Sequence, residues 1–330
     1  MGYARKQQIC LDQTPYYHVV SRCVRRAWLW GFDTYAKRDY SHRKDWVLER
    51  LALLTSIFAI DVCAYAIMCN HYHLVLHVDR RRAHEWSERE VIERWAQLFR
   101  LPLIVERWLA GDASEGEIDA ARRIVAHWRE RLADVSWFMR CLNEHLARKA
   151  NAEDECTGRF WEGRFRSQAL LDEAGLLTAM AYVDLNPVRA GVATLPEEAE
   201  FTSIYARIKA LRSSSDRSTE KRRPRLMPFQ DQVGTRGPAL PMRLADYVKL
   251  VDWSGRRIQQ GKRSAIDKEA PPILERLGID PNVWSFAMRV RGNVFGRAMG
   301  RLDRLLLHAR ALSQSRVKGL SHAQLRFRPA

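Results

Sequence analysis

The segment that most constrains the fold of this chain runs from Ile60 to Val78 and reads IDVCAYAIMCNHYHLVLHV. Its apolar, β-branched and aromatic residues predict strands rather than a helix. Its one break is Cys69-Asn70, where asparagine supplies the chemistry of a turn. The segment therefore predicts two strands joined by a tight turn.

The remaining core elements follow from periodicity and capping signals. In chain order they are a strand at Tyr16–Cys23, an amphipathic helix at 44–58, a helix at 136–150 and a strand at Arg159–Leu171. Ser136 is a plausible N-cap for the helix at 136–150, and Asp172 can cap a last helix. That helix must end near Asn186, because the residue before Pro187 is pushed out of the α region. The order predicts an α+β fold with a ferredoxin-like βαββαβ core and one added helix.

Changes in composition divide the chain into parts. Residues 79–135 carry alternating charges and two helical stretches, about 87–100 and 117–133, and predict a helical insertion in a first domain that spans 1–211. Residues 212–243 are basic and rich in Ser, Pro and Gly, as is typical of a flexible linker. Residues 244–330 hold apolar helical patches and predict a small helical C-terminal module.

The net charge is +16 and the pI is about 9.9. Such an excess of Lys and Arg favours a polyanionic partner, nucleic acid first and an anionic membrane second, although a basic protein need not have one. The six cysteines are scattered, which indicates reduced thiols. The first residues lack the apolar stretch of a signal peptide, and no apolar run approaches the roughly 20 residues that cross a bilayer. We therefore expect a soluble cytoplasmic protein with no membrane partner.

The first candidate site is His71-Tyr72-His73. Alternate residues of a strand point to the same face, so both imidazoles lie together with Cα atoms roughly 6–7 Å apart. At that spacing, both can bind one divalent ion. Two other interpretations stay open: hydrogen-bonded histidines of the core, and a zinc site that adds Cys63 and Cys69.

The second candidate is Tyr182 in the helix that follows Asp172. On a helical wheel Tyr182 points away from the apolar stripe, and Asn186 lies one turn later on the same side. The helix thus offers a phenol and an amide together. An ordinary surface tyrosine is the alternative.

The third candidate is a set of arginines on or beside strands, interleaved with Phe160 and Trp161. Guanidinium groups meet phosphates and aromatic rings stack on bases, which suits single-stranded nucleic acid. A solvated strand face is the alternative, with the aromatic residues in the core. The candidate nucleic-acid-binding residues are Arg22, Arg25, Arg26, Arg159, Arg164, Arg166 and Arg189.

These motifs resemble those of the IS200-like single-tyrosine HUH transposases, especially the REP-associated tyrosine transposases. The core motif of that family, Met-Pro-Asn-His-x-His-hydrophobic, is similar to Met68 through Leu74, with Cys69 in place of proline. The family's tyrosine helix, Tyr-x-x-x-Asn-Pro-Val-x-x-Gly, is similar to Tyr182 through Gly191. RFWEGRF also resembles the strand before that helix, and the likeness covers roughly 15–200.

The resemblance implies an HUH core, a metal-dependent endonuclease and transposase activity, and a DNA partner that is single-stranded or folded into a hairpin. It implies that His71 and His73 hold Mg²⁺ or Mn²⁺, that Asn186 completes the metal site, and that Tyr182 attacks DNA to form a 5′-phosphotyrosine. The insertion and the C-terminal module depart from the compact family core, so the DNA target and the choice between monomer and homodimer stay open.

Three other functions remain to be separated from this one. A replication or mobilisation nickase shares the histidine pair and the tyrosine, although the run Asn186 to Gly191 favours the transposase branch. A catalytically idle or domesticated DNA-binding protein would not need Tyr182, His71 and His73 together. An RNA-binding protein with stacking aromatics on its sheet would bind without metal.

Overall fold

The fold is an α+β arrangement in which helices cover both faces of one mixed sheet. The computed structural model describes residues 8–24, 32–33, 37–212, 223–232, 237–259, 274, 279–289 and 296–312. The strands are β1 (Tyr16–Arg22), β2 (Phe32–Asp33), β3 (Arg38–Asp39), β4 (Ile60–Ile67), β5 (His71–Val78), β6 (Arg166–Leu170) and β7 (Ala298–Met299). The predicted α+β class is confirmed.

Twelve α-helices accompany these strands in the described part of the chain. They are α1 (Arg43–Ile57), α2 (Arg80–Glu85), α3 (Glu88–Ala96), α4 (Leu103–Ala110), α5 (Glu115–Arg131), α6 (Val135–Glu153), α7 (Glu173–Asp184), α8 (Asn186–Ala190), α9 (Ser203–Arg212), α10 (Leu244–Gln259), α11 (Pro281–Arg289) and α12 (Leu302–Ala311). None of these helices is long and apolar enough to cross a membrane.

The main sheet has five strands in the order β4-β5-β1-β6-β7. The first four run antiparallel to their neighbours, and β7 pairs with β6 in parallel. Strands β2 and β3 form a separate pair. The central strand β1 thus has β5 on one side and β6 on the other, which brings distant parts of the chain side by side.

Alternation along the strands sends successive side chains to two separate cores. Tyr17 of β1 and Tyr72 of β5 are fully buried in one core, together with Leu51 of α1 and Phe138 of α6. The second core lies on the opposite face, where α7 and α10 pack. Residues such as His18 and His73, which alternate with the first set, therefore face α7.

Several predicted boundaries agree with the structure to within two residues. These are β1, α1 and the pair β4 and β5, together with the turn at Cys69-Asn70. Asp172 caps α7 as predicted, and its side chain accepts from the Gly175 N–H at 2.8 Å. The N-cap of α6 was predicted wrongly. Asp134 rather than Ser136 accepts a backbone N–H there, from Trp137 at 2.8 Å.

The predicted strand at Arg159–Leu171 was too long, since β6 covers only Arg166–Leu170. Upstream of β6, Trp161 forms an isolated bridge to Cys23, and the chain then bends through 162–164 with these side chains exposed. The aromatic residues that suggested a strand are instead buried anchors, because Phe160 and Phe165 both enter the core between the sheet and α6.

Residues on the C-terminal side of α9 contact the sheet and the tyrosine helix directly. Leu226 forms a parallel bridge to Val62, and the Met227 N–H donates to the Val62 carbonyl at 2.9 Å. Both residues lie in the stretch predicted as a linker. Helix α10 packs on α7, where the hydroxyl of Tyr247 donates to the fully buried Asp184 at 2.5 Å. The division of the chain into domains stays a prediction.

Candidate active site

A cavity of about 400 Å³ opens on the α7 face of the sheet, above β1, β5 and β6. Its polar lining comes from three strands and from α7 and α8. These lining residues are His18, Arg22, His71, His73, Arg166, Ser167, Gln168, Tyr182, Asn186 and Arg189. The three strands and two helices thus bring the predicted phenol, imidazoles and amide to one place.

His71 and His73 lie on the same face of β5, as strand alternation predicts. Their ring centroids are 4.9 Å apart, and both rings line the cavity. The Nδ1 atom of His71 lies 2.7 Å from the Oδ1 of Asn70 in the preceding turn. Because an amide oxygen only accepts hydrogen bonds, Nδ1 of His71 carries the ring proton and Nε2 keeps its lone pair.

His18 is a third histidine of the site, and sequence reasoning missed it. It lies opposite Gln168 of β6 and diagonally opposite His73 of β5 in the sheet register. The His18 Nε2 atom is 2.9 Å from Nδ1 of His73, and its Nδ1 atom is 3.4 Å from Oε1 of Gln168. The only signal in the sequence was that a histidine interrupts an apolar strand. Its partners depend on the strand register, which the local pattern does not contain.

Tyr182 is the one side chain between Ala174 and Arg189 that is not buried. Its ring centroid lies 6.0 Å from that of His73 and 6.2 Å from that of His18. The prediction that Tyr182 points away from a single apolar stripe was too simple, since α7 is buried on nearly all sides. The phenol is half-buried because the cavity adjoins the helix at that point.

Asn186 lines the same cavity, although it does not belong to the tyrosine helix. Helix α7 ends at Asp184, and Asn186 is the first residue of the short helix α8, with Pro187 directly after it. The predicted position one turn along the same helix is therefore wrong in detail. The amide is buried and still borders the cavity.

Arg189 packs directly on Tyr182. Its guanidinium carbon lies 3.5 Å from the centroid of the phenol ring, and its Nη2 donates to the Tyr182 backbone carbonyl at 3.1 Å. The arginine is 9% exposed, and burial lowers its pKa below the usual range. A guanidinium held over an aromatic face is a stabilising cation–π contact. This contact fixes the ring at the edge of the cavity.

All three histidines of the site are neutral at pH 7. Burial lowers the pKa of His18 and of His71 to about 4, and it lowers the pKa of His73 well below the ordinary value. The positive charge of Arg189 acts in the same direction on each of them. Neutral imidazole is the form that binds metal ions, so His71 and His73 are ready to act as ligands.

The donor set that faces the cavity consists of two imidazoles and one amide. Across the described ranges, no three His, Cys, Asp or Glu side chains cluster so as to hold a metal by themselves. Cys63 and Cys69 do not line the cavity, and the thiol of Cys63 points to Sδ of Met227 at 3.5 Å. The donors therefore fit a divalent cation that completes its shell with water or phosphate oxygens, rather than a closed Cys₂His₂ zinc site.

Six of the seven predicted arginines fall into three pairs, and the seventh, Arg189, is the buried cavity residue that packs on Tyr182. Arg22 and Arg166 are exposed and line the cavity that holds the histidines. Arg159 and Arg164 are exposed beside Trp161 in a second cavity of about 600 Å³, between α6 and the 159–165 segment. The other two, Arg25 and Arg26, lie outside the described residues.

No protein-family model matches this chain, and no curated protein matches it. Among solved structures, the chain is similar to a REP-associated tyrosine transposase bound to a REP hairpin. The likeness has 12% sequence identity and a TM-score of 0.37, and it covers 64% of this chain and 87% of the other. At that TM-score the likeness establishes neither fold nor function, so what this chain does must be inferred from the geometry of its own site.

Proposed function

We propose that this chain cuts and rejoins single-stranded DNA through a covalent tyrosine intermediate, as the HUH transposases that its motifs resemble do. One observation carries the proposal. Tyr182, His71, His73 and Asn186, which the sequence motifs single out, all line one open cavity. A tyrosine with only a structural role would have no reason to share a cavity with that donor set.

The proposal includes the ferredoxin-like HUH core. Its support is the strand order β4-β5-β1-β6, antiparallel throughout, with α1 following β1 and α6 preceding β6. A chain with the order βαββαβ produces this arrangement. In this proposal α7 is the added helix that carries the nucleophile.

The reaction is a transesterification at phosphorus. The Oη atom of Tyr182 forms a bond to the scissile phosphorus, the P–O3′ bond breaks, and the phenolic proton passes to solvent. The leaving O3′ atom takes up a proton and becomes a free 3′-hydroxyl, while the 5′ side remains attached as a 5′-phosphotyrosine. The reverse attack by a 3′-hydroxyl rejoins DNA without a nucleotide cofactor, because the covalent link keeps the ester bond.

In this proposal His71, His73 and Asn186 would hold the cation, Mg²⁺ or Mn²⁺. Once bound, such an ion supplies Lewis-acid polarisation of the scissile phosphate and offsets charge on its oxygens. The side chains of the chain itself do the remaining work. Arg189 holds the phenol ring in place, and the exposed Arg22 and Arg166 at the cavity are suited to bind the phosphates that flank the cut.

The direct test is covalent trapping on a denaturing gel. The full chain is incubated with end-labelled single-stranded hairpin DNA from the sequence that flanks its gene, with Mg²⁺ or Mn²⁺. We expect a labelled protein–DNA adduct with the wild type. The adduct should be lost with Tyr182→Phe, because the substitution removes the nucleophilic oxygen and little else, and it should also be lost when a chelator removes the metal.

Tyr205→Phe is the matched control. Tyr205 is also half-buried on a helix with an arginine near its ring, Arg223 at 5.2 Å, but it does not line the cavity. It should form the adduct as the wild type does. An adduct that persists in Tyr182→Phe would move the nucleophile elsewhere. Tight DNA binding without any adduct would instead favour the idle DNA-binding protein.

A further inference from the structure

A chain of hydrogen bonds leads from the C-terminal part of the protein to the metal-ligand candidate His73. It runs from the carbonyl of Gly296 to the amide of Gln168, on to the ring of His18, and ends at the ring of His73. The distances along it are 2.8 Å, 3.4 Å and 2.9 Å. Gln168 and His18 are buried in this chain, with 4% and 9% of their surface exposed.

The direction of each hydrogen bond follows from the one before it. The Gly296 carbonyl can only accept, so the Gln168 Nε2 group donates to it, and Oε1 of the same amide must face His18. That oxygen also only accepts, so the proton of His18 is on Nδ1. A neutral imidazole has a single N–H, and Nε2 of His18 is therefore the acceptor for Nδ1–H of His73.

We infer that His18 and Gln168 are positioning residues that set the tautomer of His73, with its proton on Nδ1 and its Nε2 lone pair directed to metal. The inference rests on the proposed function in that His73 is taken as a metal ligand. Asn70 performs the same task for His71, so both ligands present the same nitrogen. Outer partners of this kind orient a ligating imidazole and raise its basicity.

The strand register explains why these residues meet. His18 lies directly opposite Gln168 on one side of β1 and diagonally opposite His73 on the other, and diagonal neighbours in an antiparallel pair are within reach of long side chains. Gly296 is placed by the pairing that adds β7 to the edge of β6, where the Ala169 N–H donates to the Arg297 carbonyl at 2.9 Å. The C-terminal segment thereby acquires a role at the site.

The primary test reads the proton position in the full chain without metal or DNA. With ¹⁵N-labelled histidine, long-range ¹H–¹⁵N correlation spectra distinguish the two neutral tautomers of each ring. We expect the His73 signals, assigned by their loss in His73→Asn, to show the proton on Nδ1. A proton on Nε2 of His73 in the wild type would overturn the inference.

Mn²⁺ affinity, measured by electron paramagnetic resonance of the free ion, gives the second test. His18→Phe removes the acceptor and should weaken Mn²⁺ binding by about 10- to 100-fold, the range for lost outer partners. His18→Gln places an amide oxygen, which is an acceptor, near the position of the ring Nε2 and should restore most of the affinity. Wild-type affinity in His18→Phe, or no recovery in His18→Gln, would count against the proposed role.

Two further variants keep the test decisive. His77→Asn is the matched control, because His77 is a buried histidine of β5 that pairs with Asp61 at 3.2 Å and does not line the cavity. It should bind Mn²⁺ as the wild type does. If His18→Phe does not fold, Gln168→Leu breaks the same chain one step earlier and should shift His73 toward the other tautomer.

The outcomes separate this inference from the proposed function. If His73 carries its proton on Nδ1 but no DNA adduct forms, only the proposed reaction is contradicted. If a DNA adduct forms but His73 carries its proton on Nε2, only the positioning role of His18 and Gln168 is contradicted.

Discussion

Tyr182 sits where one guanidinium and two imidazoles enclose it. Arg189 covers its ring, and the rings of His18 and His73 stand at steep angles to it. Two of the three histidines at the site, His18 and His73, are buried. A neutral, buried histidine lowers stability in acidic solution, because it would gain a proton there in the unfolded chain. The pH dependence of stability that results should be measurable by replacing one histidine at a time.

Replacing His18 with asparagine should change how stability depends on pH. The pKa of His18 is about 4 in the folded chain and about 6.5 when unfolded. Between these values the unfolded chain binds a proton that the folded chain does not, so the contribution of His18 is complete above about pH 6.5 and is lost as pH falls toward 4. The free energy of unfolding of the wild type should therefore fall relative to His18→Asn by up to about 1.4 kcal/mol per pH unit.

Denaturant unfolding with chelator present, at several pH values across that window, measures this difference. His84→Asn serves as a control because His84 is exposed on α2. His84→Asn reports the effect of removing an imidazole from the surface. A pH dependence of His18→Asn no larger than that of His84→Asn would contradict the burial of a neutral His18.

At the scale of single elements, the packing of α7 depends on the close approach of β7 to its first turn. A Cβ atom on Gly175 would lie 2.6 Å from the Met299 carbonyl oxygen, which belongs to backbone and cannot rotate away. The same carbonyl accepts from the Leu171 N–H at 2.8 Å. The glycine thus allows the edge strand to pack against the start of the tyrosine helix.

Gly175→Ala should therefore destabilise the protein by about 1–3 kcal/mol, the usual cost of overpacking. It should also speed amide hydrogen exchange in residues 296–300, since the added methyl group pushes β7 outward. Thermal unfolding measures the loss of stability, and hydrogen-exchange mass spectrometry measures the faster exchange. Gly116→Ala in α5 is the control, because nothing lies within 4 Å of a Cβ there, and it should be neutral or slightly stabilising. Equal stability of Gly175→Ala and wild type would refute the close approach.

The success of the predictions differs between elements for physical reasons. Strands β1, β4 and β5 could be predicted because their apolar runs are long and bounded by a turn. Strand β7 has only two residues and exists because β6 offers a free edge, so no local pattern indicates it. The segment 159–165 was misread because buried aromatic anchors and strand residues have the same composition.

The same distinction holds for the site. The spacing of His71 and His73 shows their common face, because that face is a property of one strand. The pairing of His18 with Gln168 and His73 is a property of three strands in register, and the position of Asn186 depends on a helix break. These relations arise only when distant segments pack.

At the scale of the whole molecule, the net charge of +16 includes exposed arginines at two cavities. The cavity with Arg22 and the cavity with Arg159 and Arg164 adjoin the same end of β1. The Glu162 N–H donates to the Arg22 carbonyl at 2.9 Å, so the 159–165 segment that borders the second cavity is hydrogen-bonded to the end of β1. If the chain binds single-stranded DNA as proposed, the exposed arginines of both cavities are available to its phosphates.

Alanine at Arg159 or Arg164 should weaken binding of single-stranded DNA and lower the slope of log K against log salt by about 0.7 for each lost phosphate contact. Fluorescence anisotropy across a salt series measures the slope. Arg89→Ala is the control, because it also removes one positive charge. Arg89 is an exposed residue of α3 that pairs with Glu93, and its loss should leave the slope unchanged. An equal loss of DNA affinity in all three variants would indicate a general effect of net charge instead of phosphate contacts at Arg159 and Arg164.

The hydrogen bond from Gln168 to Gly296 also has a consequence for biosynthesis. A ribosome makes the chain from its N terminus, so the histidine pair and the tyrosine emerge well before Gly296. Until the segment around Gly296 pairs with β6, the amide of Gln168 lacks the acceptor that orients it. If His73 is a metal ligand as proposed, a nascent chain would bind the cation weakly until the segment around Gly296 has been made and has paired with β6.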